Sequence, residues 1–112
     1  MSYAELIEPF LRTTMEVLRD ADRPLAPREV MELVGEQVEI PRELAVTNDS
    51  GQIRWQSQLG FRTGEARAIG WLTKGGRWSI TELGRRALED YPGTELYLEM
   101  KHRYESQRRA SH

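Results

Sequence analysis

One stretch of the sequence, GWLTKGGRWSIT at residues 70–81, constrains the fold more than any other. Residues 71–73 and 77–81 have the composition of β-strands, and a Lys-Gly-Gly sequence separates them. Glycine adopts the positive φ angles that a tight hairpin turn requires, so this stretch predicts a β-hairpin with its turn at residues 74–76. The other segments have helical periodicity, and we therefore expect a mainly α-helical protein with one small β-hairpin.

The N-terminal part of the sequence predicts two helices. Ser2 and Glu5 have the spacing of a capping box, and apolar residues then recur at helical intervals, which predicts a first helix over residues 3–21. Pro27 follows a short loop and stands where a first helical residue is expected, so a second helix should begin there.

A third helical region precedes the hairpin. Asp49 and Gln52 have the spacing of a helix start, and apolar residues follow the helical period over residues 52–69. Each interior glycine costs a helix about 1 kcal/mol relative to alanine. Because the region contains two glycines, it forms either one helix or two short helices divided near Gly60.

Two further helices are expected after the hairpin. Thr81 is a good N-cap for a fourth helix, and Thr94 begins a fifth after the Tyr-Pro-Gly sequence at residues 91–93. Three helices followed by a two-stranded hairpin is the order of a winged helix-turn-helix, whose third helix enters the major groove of DNA. The expected fold is therefore a winged helix-turn-helix over residues 1–92, followed by a C-terminal helical segment at residues 93–112.

Length and composition describe one small soluble domain. The chain has 112 residues, of which 38% are hydrophobic, and no cysteine. The missing cysteines exclude a disulfide scaffold and Cys-ligated zinc, and the two histidines are isolated, so no metal site or cofactor is expected. No apolar run approaches the roughly 20 residues of a membrane span. We therefore expect a cytoplasmic protein without a membrane partner.

The charge is unevenly distributed along the chain. Residues 1–50 carry five arginines and eleven acidic residues, a net charge of −6, whereas residues 79–112 are neutral. Residues 51–78 carry five basic residues and one acidic residue, a net charge of +4. A basic segment of this kind can attract a polyanion even though the whole chain has a net charge of −2.

The third helical region supplies candidates for contacts with DNA bases. If it is one helix, Gln56, Gly60, Thr63 and Arg67 form a stripe opposite its apolar face. Arginine pairs with guanine and glutamine with adenine, and glycine lets the backbone approach closely. Such a stripe is suited to contact base edges in the major groove of DNA.

Other basic residues are candidates for contacts with phosphates. Arg54 would lie at the helix start, and Lys74 and Arg77 on the hairpin. Arg62 falls on the buried side of a single helix and reaches DNA only if the helix breaks near Gly60. The candidate DNA-binding residues are therefore Arg54, Gln56, Arg62, Thr63, Arg67, Lys74 and Arg77.

Three segments carry a family resemblance. LIEPFLR, PLAPREV and AIGWLTKGGRWSITELGRRAL resemble the N-terminal domain of Mrr-type restriction-system proteins, which looks like a winged helix. Trp78, Thr81 and Gly84 form its W-x-x-T-x-x-G pattern, and the resemblance covers about residues 5–90. The segment ALEDYPGTELYLEMKHRYES is similar to the tail that follows this domain in restriction ATPases related to McrB.

The resemblance implies a double-stranded DNA-binding module of a restriction or defence system, directed at modified DNA such as DNA with modified cytosine. It also implies an effector nuclease or AAA ATPase, on the same chain or on a partner chain. This sequence contains no Walker A phosphate loop, so we expect no catalysis by the module itself. The C-terminal segment then either leads to an effector domain or forms a packing or dimer helix.

Two alternatives from other classes use the same fold. A winged helix also serves as a protein-interaction or dimerisation module, or as a small transcriptional regulator that binds DNA as a homodimer.

The order Asp90, Glu99, Lys101 resembles the D…E-x-K order of nucleases. These residues lie in a helical pattern, whereas the Glu and Lys of such a nuclease lie on a strand, so a catalytic role is not expected.

Overall fold

The computed structural model describes residues 1–111, and the last residue of the expected C-terminal segment, His112, lies outside the described part. The described residues form five α-helices and one two-stranded antiparallel sheet. In chain order the elements are α1 (Tyr3–Asp20), α2 (Pro27–Gln37), a 3₁₀ turn (Arg42–Leu44), α3 (Arg54–Ala68), β1 (Leu72–Thr73), β2 (Ser79–Ile80), α4 (Glu82–Asp90) and α5 (Glu95–Ala110). None of the helices within residues 1–111 is both long and apolar enough to span a membrane.

The first two helices begin where the sequence predicts. Ser2 Oγ accepts from the Glu5 backbone N–H at 3.2 Å, and the Glu5 carboxylate accepts from the Ser2 backbone N–H at 3.3 Å, so the capping box forms. Helix α1 then continues through Pro9 without a break. Pro27 is the first residue of α2, where its missing N–H costs no hydrogen bond.

The start of α3 differs from the prediction. The helix begins at Arg54, two residues after the predicted start at residue 52, and no side chain, Asp49 included, caps it. Thr47 pairs with Ile53 in an isolated β-bridge, and the Asn48 N–H donates to the Gln52 carbonyl at 2.7 Å. These backbone bonds hold residues 47–53 in a tight reversal, which prevents the helix from starting earlier.

The hairpin forms, but its turn differs from the prediction. Leu72 lies opposite Ile80 and Thr73 opposite Ser79, which leaves a five-residue connection over residues 74–78. Neither glycine at positions 75 and 76 has a positive φ. A connection of this length reverses the chain more gradually than a two-residue turn, so it does not require the left-handed conformation.

A residue between α1 and α2 also pairs with the hairpin. The Leu25 N–H donates to the Trp78 carbonyl at 2.9 Å, and the Trp78 N–H donates to the Leu25 carbonyl at 2.7 Å. This antiparallel bridge attaches the hairpin to the loop before α2. The sequence predicts only a loop here, because the bonding partner is distant in the chain.

All three tryptophans lie in one hydrophobic core. Trp71 is fully buried, and Trp55 and Trp78 are nearly so. The Trp55 ring stacks on Phe10 with the ring centroids 5.4 Å apart, which packs α3 against α1. On α5, Leu96, Tyr97 and Met100 join the same core. The side of α5 that faces the domain is therefore a packing surface.

The buried carboxylate of Glu8 and its ion-pair partner Arg12, both on α1, hold the start of α5. The Glu8 carboxylate is buried and accepts the backbone N–H groups of Leu96 at 3.1 Å and Tyr97 at 2.8 Å. It thus takes the place of the Thr94 side chain, which makes no capping hydrogen bond. Arg12 Nη2 lies 3.1 Å from the same carboxylate and donates to carbonyls at residues 91 and 93. The start of α5 is consequently fixed by side chains of α1.

Candidate nucleic-acid interface

Helix α3 and the hairpin connection at residues 74–78 together form the candidate interface. Helix α3 is a single helix, and neither Gly60 nor Gly64 interrupts it. A methyl group added at either glycine would meet no atom within 4 Å, so the backbone is open to a partner at both positions. The single helix fixes which side chains face outward.

Thr63 does not lie on the exposed face, contrary to the predicted stripe. It is fully buried, and its hydroxyl donates to the Leu59 carbonyl at 2.8 Å. The helix turns by about 100° per residue, so Thr63 lies between the apolar face and the side covered by the hairpin. Its role is structural, because its hydroxyl accepts a hydrogen bond from Lys74 at 2.9 Å.

Lys74 connects the hairpin to α3. Its Nζ donates to the Gly60 carbonyl at 3.2 Å as well as to Thr63, and it lies 4.4 Å from the centre of the Trp78 ring. Burial lowers the pKa of Lys74 below its ordinary value, and the positive charge of Arg67 lowers it further. The ammonium group is therefore held beside α3 and has one basic neighbour.

A shallow depression lies between α3 and the hairpin. It has a volume of about 260 Å³ and is lined by Gly64, Arg67, Lys74 and Gly75. Arg67 is exposed, and no acidic side chain within residues 1–111 lies within ion-pair distance of Arg67 or Lys74. Two cations beside two glycines, whose backbone is accessible, form a small site of the kind that attracts an anion.

Arg62 is not available for DNA. Its side chain is 17% exposed, its Nε lies 2.9 Å from a Glu65 carboxylate oxygen, and its Nη1 donates to the Tyr3 hydroxyl at 3.2 Å. The contact with Glu65 is an ion pair without hydrogen-bond alignment. The predicted DNA contact required a helix break near Gly60. Because α3 is continuous, Arg62 instead lies on the side of α3 that packs against α1 and α5.

The other predicted residues lie at the edges of the interface. Arg54 is exposed at the start of α3, where it donates to the Asn48 side chain at 3.1 Å. Gln56 is half-buried. Arg77 is 60% exposed on the hairpin connection, with its Nη1 3.7 Å from a Glu29 carboxylate oxygen. Arg54 and Arg77 thus remain accessible, although each contacts a group of the protein.

Phe61 is an outward-facing residue that the predicted stripe omitted. It is 64% exposed in the middle of α3, between the two glycines. Its exposure follows from the register of a single helix, but the sequence leaves open whether the helix is single. The outermost surface of α3 is thus one aromatic ring beside open backbone, with the basic residues along its edges.

Within residues 1–111, no group of three or more metal-ligating side chains is close enough to hold an ion.

Comparison of the chain with protein-family models, curated proteins and solved structures gave no match.

Proposed function

We propose that the chain is a winged-helix module that binds double-stranded DNA, with α3 in the major groove and the hairpin against the backbone. The observation that carries the proposal is the pair Arg67 and Lys74, which lines the depression between α3 and the hairpin without an acidic partner in the described residues. In the proposed complex this pair binds a phosphate beside the groove.

The bridge between Leu25 and Trp78 supports the winged-helix topology. Through this bridge Leu25, which lies between α1 and α2, pairs with the hairpin in the manner of a third strand. The order is then helix, bridge residue, helix, helix and two strands, followed by α4 and α5. A hairpin attached in this way has a defined position relative to α3, as a wing needs in order to contact DNA beside a groove-bound helix.

The exposed surface of α3 supports major-groove contact. Gly60 and Gly64 allow the helix backbone to come close to the base edges. Phe61 projects between them, and an exposed aromatic ring makes apolar contact with a pyrimidine C5-methyl group. Arg54 and Arg67 lie towards opposite ends of α3, where the DNA backbones pass.

The proposed DNA-binding module belongs to a restriction or defence system. A module of a restriction or defence system would use this surface to select foreign DNA in the cytoplasm, including DNA with modified cytosine. Cleavage or ATP hydrolysis would then belong to an effector nuclease or AAA ATPase, and the module itself would catalyse nothing. A C5-methyl group on cytosine presents Phe61 with the same apolar contact as the methyl group of thymine.

A fluorescence-anisotropy titration tests the proposal. The labelled duplexes contain cytosine, 5-methylcytosine or 5-hydroxymethylcytosine, and each titration is repeated at two salt concentrations. We expect binding that weakens as salt increases, with the methylated duplex bound more tightly than the unmodified one. If no duplex binds at low salt, the chain is not a DNA-binding module, and the protein-interaction alternative is preferred.

A pair of charge-reversal variants locates the surface. Arg67→Glu with Arg77→Glu should abolish binding and leave the circular dichroism spectrum unchanged. Arg85→Glu with Arg86→Glu is the matched control, because it changes the net charge equally on exposed residues of α4. If both double variants weaken binding equally, the net charge of the protein matters and the assigned surface is wrong.

A further inference from the structure

Helix α5 lies along α3 on the side away from the hairpin. Lys101 Nζ donates to a Glu65 carboxylate oxygen at 2.8 Å, and Gln107 Nε2 donates to the Ala68 carbonyl at 2.9 Å. The hairpin bonds α3 at Thr63, through Lys74. Because a helix turns about 100° per residue, Glu65 and Thr63 point about 200° apart around the α3 axis. The hairpin and α5 therefore flank α3 on opposite sides.

The second half of α5 is basic. Residues 101–109 contain four basic residues and one acidic residue, a net charge of +3. Lys101 and Arg103 form ion pairs with Glu65 and Glu99. Arg108 and Arg109 are exposed, and within the described part of the chain neither has an acidic partner. Their charges are thus available at the end of α5 that contacts the C-terminal end of α3.

We infer that Arg108 and Arg109 bind the DNA backbone on the side of the groove opposite the hairpin, an inference that rests on the proposed function. The major groove is about 12 Å wide, and a helix with its side chains has a diameter of about 10–12 Å. A helix in the groove therefore has one phosphate backbone on each side. The hairpin faces one backbone, and the basic end of α5 faces the other.

The contacts between α5 and α3 give this geometry its rigidity. The bond from Gln107 to Ala68 lies one residue before Arg108 and one residue after Arg67. The helix backbone that carries Arg108 and Arg109 therefore has a defined position relative to α3 without DNA, and binding costs little additional ordering of that backbone. A purely structural role is the rival explanation, because arginines in a last helical turn also interact favourably with the helix dipole.

The salt dependence of DNA binding distinguishes the two explanations. Arg108→Gln with Arg109→Gln is compared with the control Arg85→Gln with Arg86→Gln, which removes the same charge from α4. Affinity for one labelled duplex is measured at several salt concentrations, together with the melting temperature of each protein. We expect the Arg108 and Arg109 variant to lower the slope of log affinity against log salt by about 2 in magnitude. The control should keep the parental slope.

Two results would overturn the inference, and they differ from each other. If the parent binds DNA and the Arg108 and Arg109 variant keeps its slope, α5 does not contact the backbone, although the proposed function stands. A lower melting temperature with an unchanged slope would assign the two arginines to helix stability. If the parent itself binds no duplex at low salt, both the proposed function and this inference are wrong.

Discussion

Replacing Gly84 with alanine should destabilise the protein, although alanine favours a helix. A methyl group at Gly84 would lie 2.3 Å from the Trp71 carbonyl oxygen and 2.8 Å from Ile80 Cγ1. The Thr81 backbone N–H donates to that same carbonyl at 3.0 Å, so the oxygen cannot move away without weakening this bond. Helix α4 must shift away from the hairpin, and because Thr81 is the N-cap of α4, this shift also stretches the bond from Thr81 to Trp71.

The size of the effect follows from opposing contributions. Overpacking costs about 1–3 kcal/mol, and a weakened backbone hydrogen bond adds about 1 kcal/mol. The higher helix propensity of alanine relative to glycine offsets about 1 kcal/mol of this loss in the free energy of unfolding. We therefore expect Gly84→Ala to lower the free energy of unfolding by about 2 kcal/mol. The entropy of unfolding for 112 residues is about 0.24 kcal/mol/K, so the melting temperature should decrease by roughly 8 °C.

Gly64→Ala is the matched control, and it should have the opposite sign. Gly64 also lies within a helix, its φ is not positive, and an added methyl group meets no atom within 4 Å. Only the helix propensity then changes, which should raise the melting temperature by about 2–4 °C. Differential scanning calorimetry measures both variants. A Gly84→Ala protein that melts at or above the parental temperature would refute the close packing of α4 against the hairpin.

Three further substitutions, two of them with a control substitution, test two ion pairs and the exposed surface of α3. Glu8→Gln should lower the free energy of unfolding in urea by about 3 kcal/mol, because it removes a buried charge that pairs with Arg12 and accepts two backbone N–H groups of α5. Glu99→Gln should cost less than about 1 kcal/mol, because its ion pair with Arg103 is largely exposed. The pKa of Glu29 is lowered from 4.5 to about 2, first by the hydrogen bond from Arg23 and then by the Ala26 N–H. Its folded pKa lies below its unfolded pKa, so it stabilises the fold above about pH 4.5 and loses this contribution as the pH falls to about 2. Glu29→Gln should therefore lower the melting temperature at pH 6 and leave it unchanged near pH 2; an equal decrease at both pH values would contradict the linkage. In the anisotropy titration, Phe61→Ala should reduce the preference for a methylated duplex by roughly fourfold, which corresponds to the burial of about one methyl group. Leu98→Ala is the control, since Leu98 is an exposed apolar residue on α5, and it should not change this preference.

The elements defined by local signals were predictable from sequence. The capping box at Ser2 and the proline at position 27 each depend on atoms within a few residues, so α1 and α2 begin as expected. Thr81 likewise caps α4, and its side chain accepts from the Gly84 N–H at 3.1 Å. Local hydrogen bonding decides these positions, so no knowledge of tertiary contacts is needed to predict them.

The features that depend on distant partners were not predictable. The Asp49 signal for a helix start is overridden by the bridge between Thr47 and Ile53, since backbone pairing leaves no helical conformation there. Thr63 is polar, but the hairpin covers it through Lys74. Lys101 pairs with Glu65 on α3, a partner that lies 36 residues away in the sequence. In each case the decisive group lies on another part of the chain.

The bridge between Leu25 and Trp78 has a consequence for folding. An isolated hairpin with only two residues in each strand is not stable in water. Its amide protons are therefore protected from exchange only while its tertiary contacts hold. The bridge to the loop between α1 and α2 is one of these contacts, and it links residues more than fifty positions apart in sequence. The hairpin and the first two helices should accordingly open together in native-state hydrogen exchange, as one cooperative unit.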